Sequence, residues 1–196
     1  MAKTLEEVQK LFPEADQISD PQLRRKVLHT WWEAWKLSRF QKVEQTPFLE
    51  GALADINNVE HTRAVTALSI QFARTMEEFL GIQVNMDYLI AGALLHDLGK
   101  LFEYCGSPTD LGRLFTHGIS AVLISAKEDL PLEVIHIIVA HSLEGQFMKR
   151  TPEAVIVHYM DFAYADFALR AKSPLNLEDL IQGKRMKKAF SSIKID

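Results

Sequence analysis

The sequence has a single cysteine, Cys105, no internal repeat, no excess of positive charge, and no near-continuous apolar stretch longer than residues 88–95. One cysteine excludes a disulfide within the chain, so stability must come from a packed core, which 196 residues with 47% apolar content can supply. A reducing, cytoplasmic setting is expected. Eight apolar residues fall well short of the roughly 20 needed to cross a bilayer, so 88–95 reads as a buried helix and no membrane association is expected. The N-terminal MAKTLEEVQKLFPEAD mixes charges with apolar residues and lacks the apolar core of a secretory signal, so no export is expected. A net charge of −4 gives no global electrostatic case for nucleic acid or an anionic membrane. Basic residues do concentrate in 176–196, at Lys184, Arg185, Lys187, Lys188 and Lys194, where they read as a solvated tail.

What is present is helical periodicity. Residues 5–12 make a short helix stopped at Pro13. A second starts at Asp20–Pro21 and carries Trp31, Trp32 and Trp35 into the core. A polar loop over 41–57 precedes a long helix from Asn58, with Val65, Leu68, Phe72, Met76 and Phe79 as its apolar stripe and His61 one turn before Val65. Residues 86–98 are apolar nearly all round, as in a helix enclosed by others, and end in HDLGK. A loop over 102–115, with Gly106, Pro108 and Gly112, leads to a helix that Thr116 can cap, with His117 at its start. Val134, Ile137, Ile138 and His141 follow helical spacing, so His141 faces inward. Thr151, Pro152 and Glu153 open a last long helix on which Ala154, Val157 and Asp161 share a face. The expected fold is all-α, divided as an N-terminal helical extension (1–48), a central helical domain (49–175) and the basic tail (176–196).

Four histidines and two aspartates, His61, His96, His117, His141, Asp97 and Asp161, thus fall on or beside apolar faces. One buried histidine is ordinarily a satisfied core residue, but ionised carboxylates beside several imidazoles are costly to bury unless paired or coordinated. A divalent metal satisfies all six groups at once. Lys100 follows Asp97 by three residues, and a continued turn puts its ammonium on the ligand side, where it suits a phosphate or carboxylate. His158 lies one turn before Asp161 and is a candidate to orient a ligand; His136, five residues before His141, falls on a different face, and His29 lies outside the stretch that carries the other candidates. Arg113, Lys149 and Arg150 are expected to be solvated.

The ordered motifs NVEHTRAV, LLHDLGK and VIVHYMD resemble the HD superfamily of metal-dependent phosphohydrolases over residues 58–171. The resemblance implies an HD-domain helical bundle with one metal held by His61, His96, Asp97 and Asp161. Members with two metals carry two further histidines, matched by His117 in FTHGISA and His141 in IIVAHSLEG, and Asp97 would then bridge. The segment HSLEGQFMKRTPEAVIVHYMD also resembles bacterial HD-type exoribonucleases, which usually carry paired histidines where this chain has His141 and Ser142. The expected activity is therefore hydrolysis of a phosphomonoester or phosphodiester, on a small nucleotide-like substrate rather than a nucleic acid, with Asp97 and Lys100 central to it. Mixed imidazole and carboxylate ligation suits iron, manganese, cobalt, nickel or zinc. Two such ions lower the pKa of water towards roughly 7 and polarise a phosphoryl oxygen. The same ligand pattern, with the lysine after the doublet, also resembles diiron oxygenases akin to inositol oxygenase, and a metal- or nucleotide-binding sensor module is a third reading.

Overall fold

The computed structural model describes residues 3–51, 53–104 and 110–172. The basic tail, Cys105, Gly106 and Pro108 lie outside the described residues. In chain order come α1 (Leu5–Leu11), a 3-10 turn (Pro13–Gln17), α2 (Pro21–Leu37), a 3-10 turn (Val43–Gln45) and the strands β1 (Pro47–Leu49) and β2 (Leu53–Asn57). Then follow α3 (Asn58–Leu80), α4 (Met86–Leu95), α5 (Lys100–Glu103), α6 (Asp110–Leu114), α7 (His117–Lys127), α8 (Leu132–Ala140), a 3-10 turn (Leu143–Gly145) and α9 (Pro152–Lys172). The fold is helical as expected, with one small antiparallel hairpin among the described residues.

That hairpin replaces the polar loop expected over 41–57. Pro47 pairs with Asn57 and Leu49 with Leu53, and Gly51 turns the chain at φ +87°. Phe48 and Leu53 point inward onto Ala165 and Leu169 of α9, and this small apolar contact fixes a segment whose sequence shows little alternation. Strand β1 crosses the expected boundary at 48/49.

α4 is the central element, buried at every position from Leu89 to Leu95, and it packs against α2, α3, α8 and α9. Because a helix leaves its last carbonyls without partners, such a buried end needs donors from elsewhere. Trp31 Nε1 of α2 donates to the Leu94 carbonyl at 2.8 Å, and His96 Nδ1 meets the Ala93 carbonyl at 2.6 Å. The helix also stops earlier than the expected Leu98. From Leu95 the bonding tightens to i→i−3, with Leu98 N–H on Leu95 O, Lys100 N–H on Asp97 O and Phe102 N–H on Gly99 O. The start of α4 is anchored by Asp87, which accepts bonds from Ser19 N, Ser19 Oγ and Asp20 N at 2.8, 2.7 and 2.9 Å just before α2.

The apolar stripe expected on α3 is corrected. Its inward face is Val59, His61, Thr62, Val65, Thr66, Ser69, Ile70 and Ala73, whereas Leu68 and Phe79 are exposed. Thr62, Thr66 and Ser69 are the reason: small polar side chains occupy the packed face, where the helix runs close against α4 and α9, and a hydrophobicity pattern does not see them. The 102–115 loop likewise contains the end of α5 and the whole of α6. The N-terminal helices share the main core with α4, α7 and α8, through Val8, Phe12, Val27 and Trp31.

Candidate metal centre

Five helix ends and faces converge on one point. His61 comes from the first turn of α3, and His96 and Asp97 from the tightened turn after α4. His117 is the first residue of α7, His141 follows the last turn of α8, and Asp161 lies midway along α9. The 3-10-like winding after Leu95 lets His96 and Asp97, adjacent in sequence, project to the same side. Asn58 Nδ2 holds the Asp97 carbonyl at 3.0 Å, which locks that turn to the start of α3.

The structure brings together all six residues singled out from the sequence, in two groups that share Asp97. Asp97 Oδ2 lies 3.1 Å from His61 Nε2 and 3.4 Å from His96 Nε2, and Asp161 Oδ1 lies 3.1 Å from His61 Nε2. Asp97 Oδ1 faces the other way, 3.5 Å from His117 Nε2 and 3.6 Å from His141 Nε2. Lys100 Nζ sits 2.6 Å from Asp97 Oδ2 and 4.2 Å from the centre of the Phe48 ring. Phe48 also stacks on His61, with ring centroids 3.7 Å apart, and forms a roof over the first group.

Burial alone would push both carboxyls up. For Asp97, the charges of Lys100 and His96 and contacts to His141 and His61 overcome it and hold the group well below the usual carboxylate range. For Asp161, His61 and His96 hold it at about 2. Burial pulls His141 down, which keeps its imidazole neutral and able to offer a lone pair. His117 is pulled down by burial too, but the Glu103 carboxylate on its Nδ1 and the Asp97 charge prevail and raise it.

These residues suit a divalent transition metal, and the hydrogen bonds say why. His96 Nδ1 is taken by the Ala93 carbonyl, His141 Nδ1 by the Ile138 carbonyl at 2.6 Å, and His117 Nδ1 by Glu103 Oε2 at 3.0 Å. A ring whose Nδ1–H is donated presents Nε2 as a lone pair, which is the usual arrangement around a metal ligand. His141 Nε2 is buried and makes no hydrogen bond of its own. An unsatisfied buried acceptor facing the Asp97 carboxylate is what an incoming cation would satisfy.

Other candidates fall elsewhere. His29 pairs with Glu128 at 2.6 Å, His136 joins neither group, and His158 Nδ1 contacts the His141 carbonyl at 2.5 Å, where it steadies the end of α8. Arg113 pairs with Asp110, and Arg150 donates to the Ala140 carbonyl. Beside the cluster opens a cavity of about 350 Å³, walled on its apolar side by Phe48, Leu49, Leu143 and Phe162 and carrying Glu103 and Glu144 as well as Lys100. Sequence reasoning missed Phe48, Glu103 and Glu144. Glu103 and Glu144 each stand three residues beyond a recognised site residue, Lys100 and His141, and that spacing was the available signal; Phe48, in the irregular hairpin, gave none.

The HD domain family model matches residues 58–164, more than half of the chain, and the chain belongs to this family. It is a metal-dependent phosphoester hydrolase. Among curated proteins it is similar to the dihydroneopterin 2',3'-cyclic phosphate phosphodiesterase of Methanocaldococcus jannaschii, at 33% identity over 96% of this chain and 82% of that protein. No solved structure matches the chain. Among the described residues no helix is long and apolar enough to cross a membrane.

Proposed function

We propose that this hydrolase opens the cyclic phosphodiester of a small heterocyclic alcohol to a monoester, with two transition-metal ions held by the six-residue cluster. The observation that carries this reading is the division of Asp97: one carboxylate oxygen faces His61 and His96, the other His117 and His141. His61, His96, Asp97 and Asp161 would hold one ion, and Asp97, His117 and His141 the second. Iron, manganese, cobalt, nickel and zinc suit this donor set. When bound, such ions make hydroxide available near neutral pH and withdraw charge from the phosphoryl group.

The chain's own groups complete the site. Lys100, held by Asp97 and by the face of Phe48, offers its ammonium to a non-bridging phosphate oxygen. Phe48 and Leu49 shield the cluster from bulk water, which strengthens each charge inside. Glu103 fixes the His117 ring, and Asn58 fixes the backbone of Asp97. At about 350 Å³ the cavity lies near the lower end of the range for small organic ligands, about 300–1,000 Å³, which favours a small molecule over a nucleic-acid strand. The name of the M. jannaschii relative supports a 2',3'-cyclic phosphate as the bond cleaved. We further propose a single catalytic unit over 49–175, to which the segment 1–48 contributes Phe48. A reducing compartment such as the cytoplasm fits its lone cysteine.

The test is elemental analysis of the purified protein followed by turnover of 2',3'-cyclic phosphates with the metals found. Two ions per chain and conversion to monoesters are expected, with Asp97→Asn losing both ions and at least about 100-fold in rate. Full activity in Asp97→Asn would sink the site assignment. Oxygen consumption without phosphoester cleavage would sink the reaction.

A further inference from the structure

The cavity has a chemical polarity that the hydrolytic cluster does not need. Among the described residues, Lys100 is the one lysine or arginine lining it, and that ammonium sits at the buried end on Asp97. Toward solvent, where the lining is more exposed, the charged groups are the carboxylates Glu103 and Glu144. Ionised carboxylates only accept hydrogen bonds. A substrate portion reaching this end must therefore present donors, and further phosphates there would meet like charge.

The two carboxylates differ in what they already do. Glu103 is committed to His117 Nδ1. Glu144 stands on the 3-10 turn after α8, with Ser142 Oγ on its Oε2 at 2.5 Å. Burial would push the Glu144 carboxyl up, but Ser142, its own backbone N–H, the His117 charge and the Thr116 hydroxyl hold it below the ordinary range. It is thus ionised and fixed in direction, and a carboxylate has about four lone-pair sites, so acceptor capacity remains after these contacts. The cavity's apolar walls come from Phe48, Leu49, Leu143 and Phe162, and Leu143 adjoins Glu144 in the chain.

We propose that Glu144 is the specificity residue of this cavity. Its carboxylate accepts from the neighbouring N–H and NH2 groups of a 2-amino-4-oxopyrimidine ring, the donor edge common to pterins and guanine, while the substrate phosphate lies at the Lys100 end. This rests on the reading of the site as a hydrolase of a small heterocyclic phosphoester. It adds which ring is accepted and which residue reads it.

The experiment compares two ligands of one shape. Pterin carries an amino donor at position 2, and lumazine carries a carbonyl there. Calorimetric titration of the purified protein is expected to show pterin binding about 10- to 100-fold tighter, the range for hydrogen bonds to a charged group. Glu144→Gln brings that ratio close to one, whereas Glu103→Gln preserves it. Each ratio is taken within one protein, so a loss of folding shows as loss of both ligands and not as a changed preference. Equal binding of the two rings by the unaltered protein, no binding of either, or a ratio that falls in Glu103→Gln and persists in Glu144→Gln overturns the proposal. Turnover of 2',3'-cyclic phosphates is measured separately: its failure strikes the proposed reaction, and failure of the titration strikes the ring assignment.

Discussion

Gly99→Ala tests whether the turn carrying His96 and Asp97 is held to the tolerance that catalysis needs. Gly99 has ordinary helical dihedrals, φ −66° and ψ −15°, so no backbone strain demands glycine there. The demand comes from α7: a Cβ at this position would sit 1.9 Å from the His117 carbonyl oxygen. Side-chain Cβ atoms essentially never approach closer than 3.0 Å, so the two backbones must part by about 1.1 Å or more. Gly99 lies two residues after Asp97, so the displacement is expected to reach the 3.5 Å contact between Asp97 and His117. Misplacing a reacting group by 1 Å costs on the order of 100-fold in rate, and metal–ligand distances tolerate only about 0.2 Å. The variant is therefore expected to fold, with a lowered melting temperature, to retain less than about one ion per chain at the His117 side, and to lose roughly 100-fold in kcat/KM. Elemental analysis and steady-state kinetics on the same sample check this. Full metal content with undiminished kcat/KM would refute the reasoning, because α7 would then be free to yield without disturbing the cluster.

Three further outcomes follow from the geometry. Chelator titration should remove two ions in separate steps, the first from Asp97, His117 and His141, since that group offers three ligands against four and His117 is 20% exposed while His61 and His96 are fully enclosed. Acidification should empty the same site first, because protons compete for His117, whose pKa is raised, and simultaneous loss of both ions would contradict this. Asp87→Asn should destabilise the fold at pH 7 by about 1 kcal/mol or less, read as a lowered melting temperature, since the group is only half-buried. Hydrogen bonds from Ser19 and Asp20 outweigh the effect of burial and depress the Asp87 pKa, so its contribution is complete above the unfolded carboxylate pKa of about 3.9 and disappears as pH falls through the lower folded value. Melting temperatures of the two proteins should therefore converge as pH falls below the ordinary carboxylate range; a constant gap would show that the carboxylate charge is not what anchors α4.

The helices were legible where one physical rule acted alone. Asp20 with Pro21, Thr151 with Pro152, and the enclosed run of α4 each combine a cap or a period with burial, and the elements fall where these signals put them. The α3 stripe misled because exposed Leu68 and Phe79 match the helical period as well as Val65 does. The face that packs is chosen by the space left by α4 and α9, which suits threonine and serine. Thr116 stands at the start of α7, yet its hydroxyl makes no cap and turns to Glu144 instead. The hairpin was invisible for a different reason: its register depends on Phe48 and Leu53 meeting α9, more than a hundred residues away in sequence.

The six-residue site was readable because it violates the rules that govern the rest of the core. Asp97 is 1% exposed and His61 and His96 are fully buried, and without a cation they crowd one another, with His61 Nε2 and His96 Nε2 only 3.1 Å apart. Well-packed apolar residues would serve stability better than such a cluster, because unpaired buried charge is costly. Ordinary core polar groups are different: Trp31 Nε1 finds the Leu94 carbonyl and has no surplus valence. At the cluster, backbone carbonyls and Glu103 tie up the outer nitrogens of three rings and leave their Nε2 lone pairs facing inward. Rings held in this way turn Nε2 towards Asp97, an arrangement that suits a bound cation better than a packed core. What the sequence could not supply is the direction of the surrounding cavity. Lys100 and Glu144 are brought to one cavity by α5 and the turn after α8, two short elements distant in sequence whose meeting no local pattern announces.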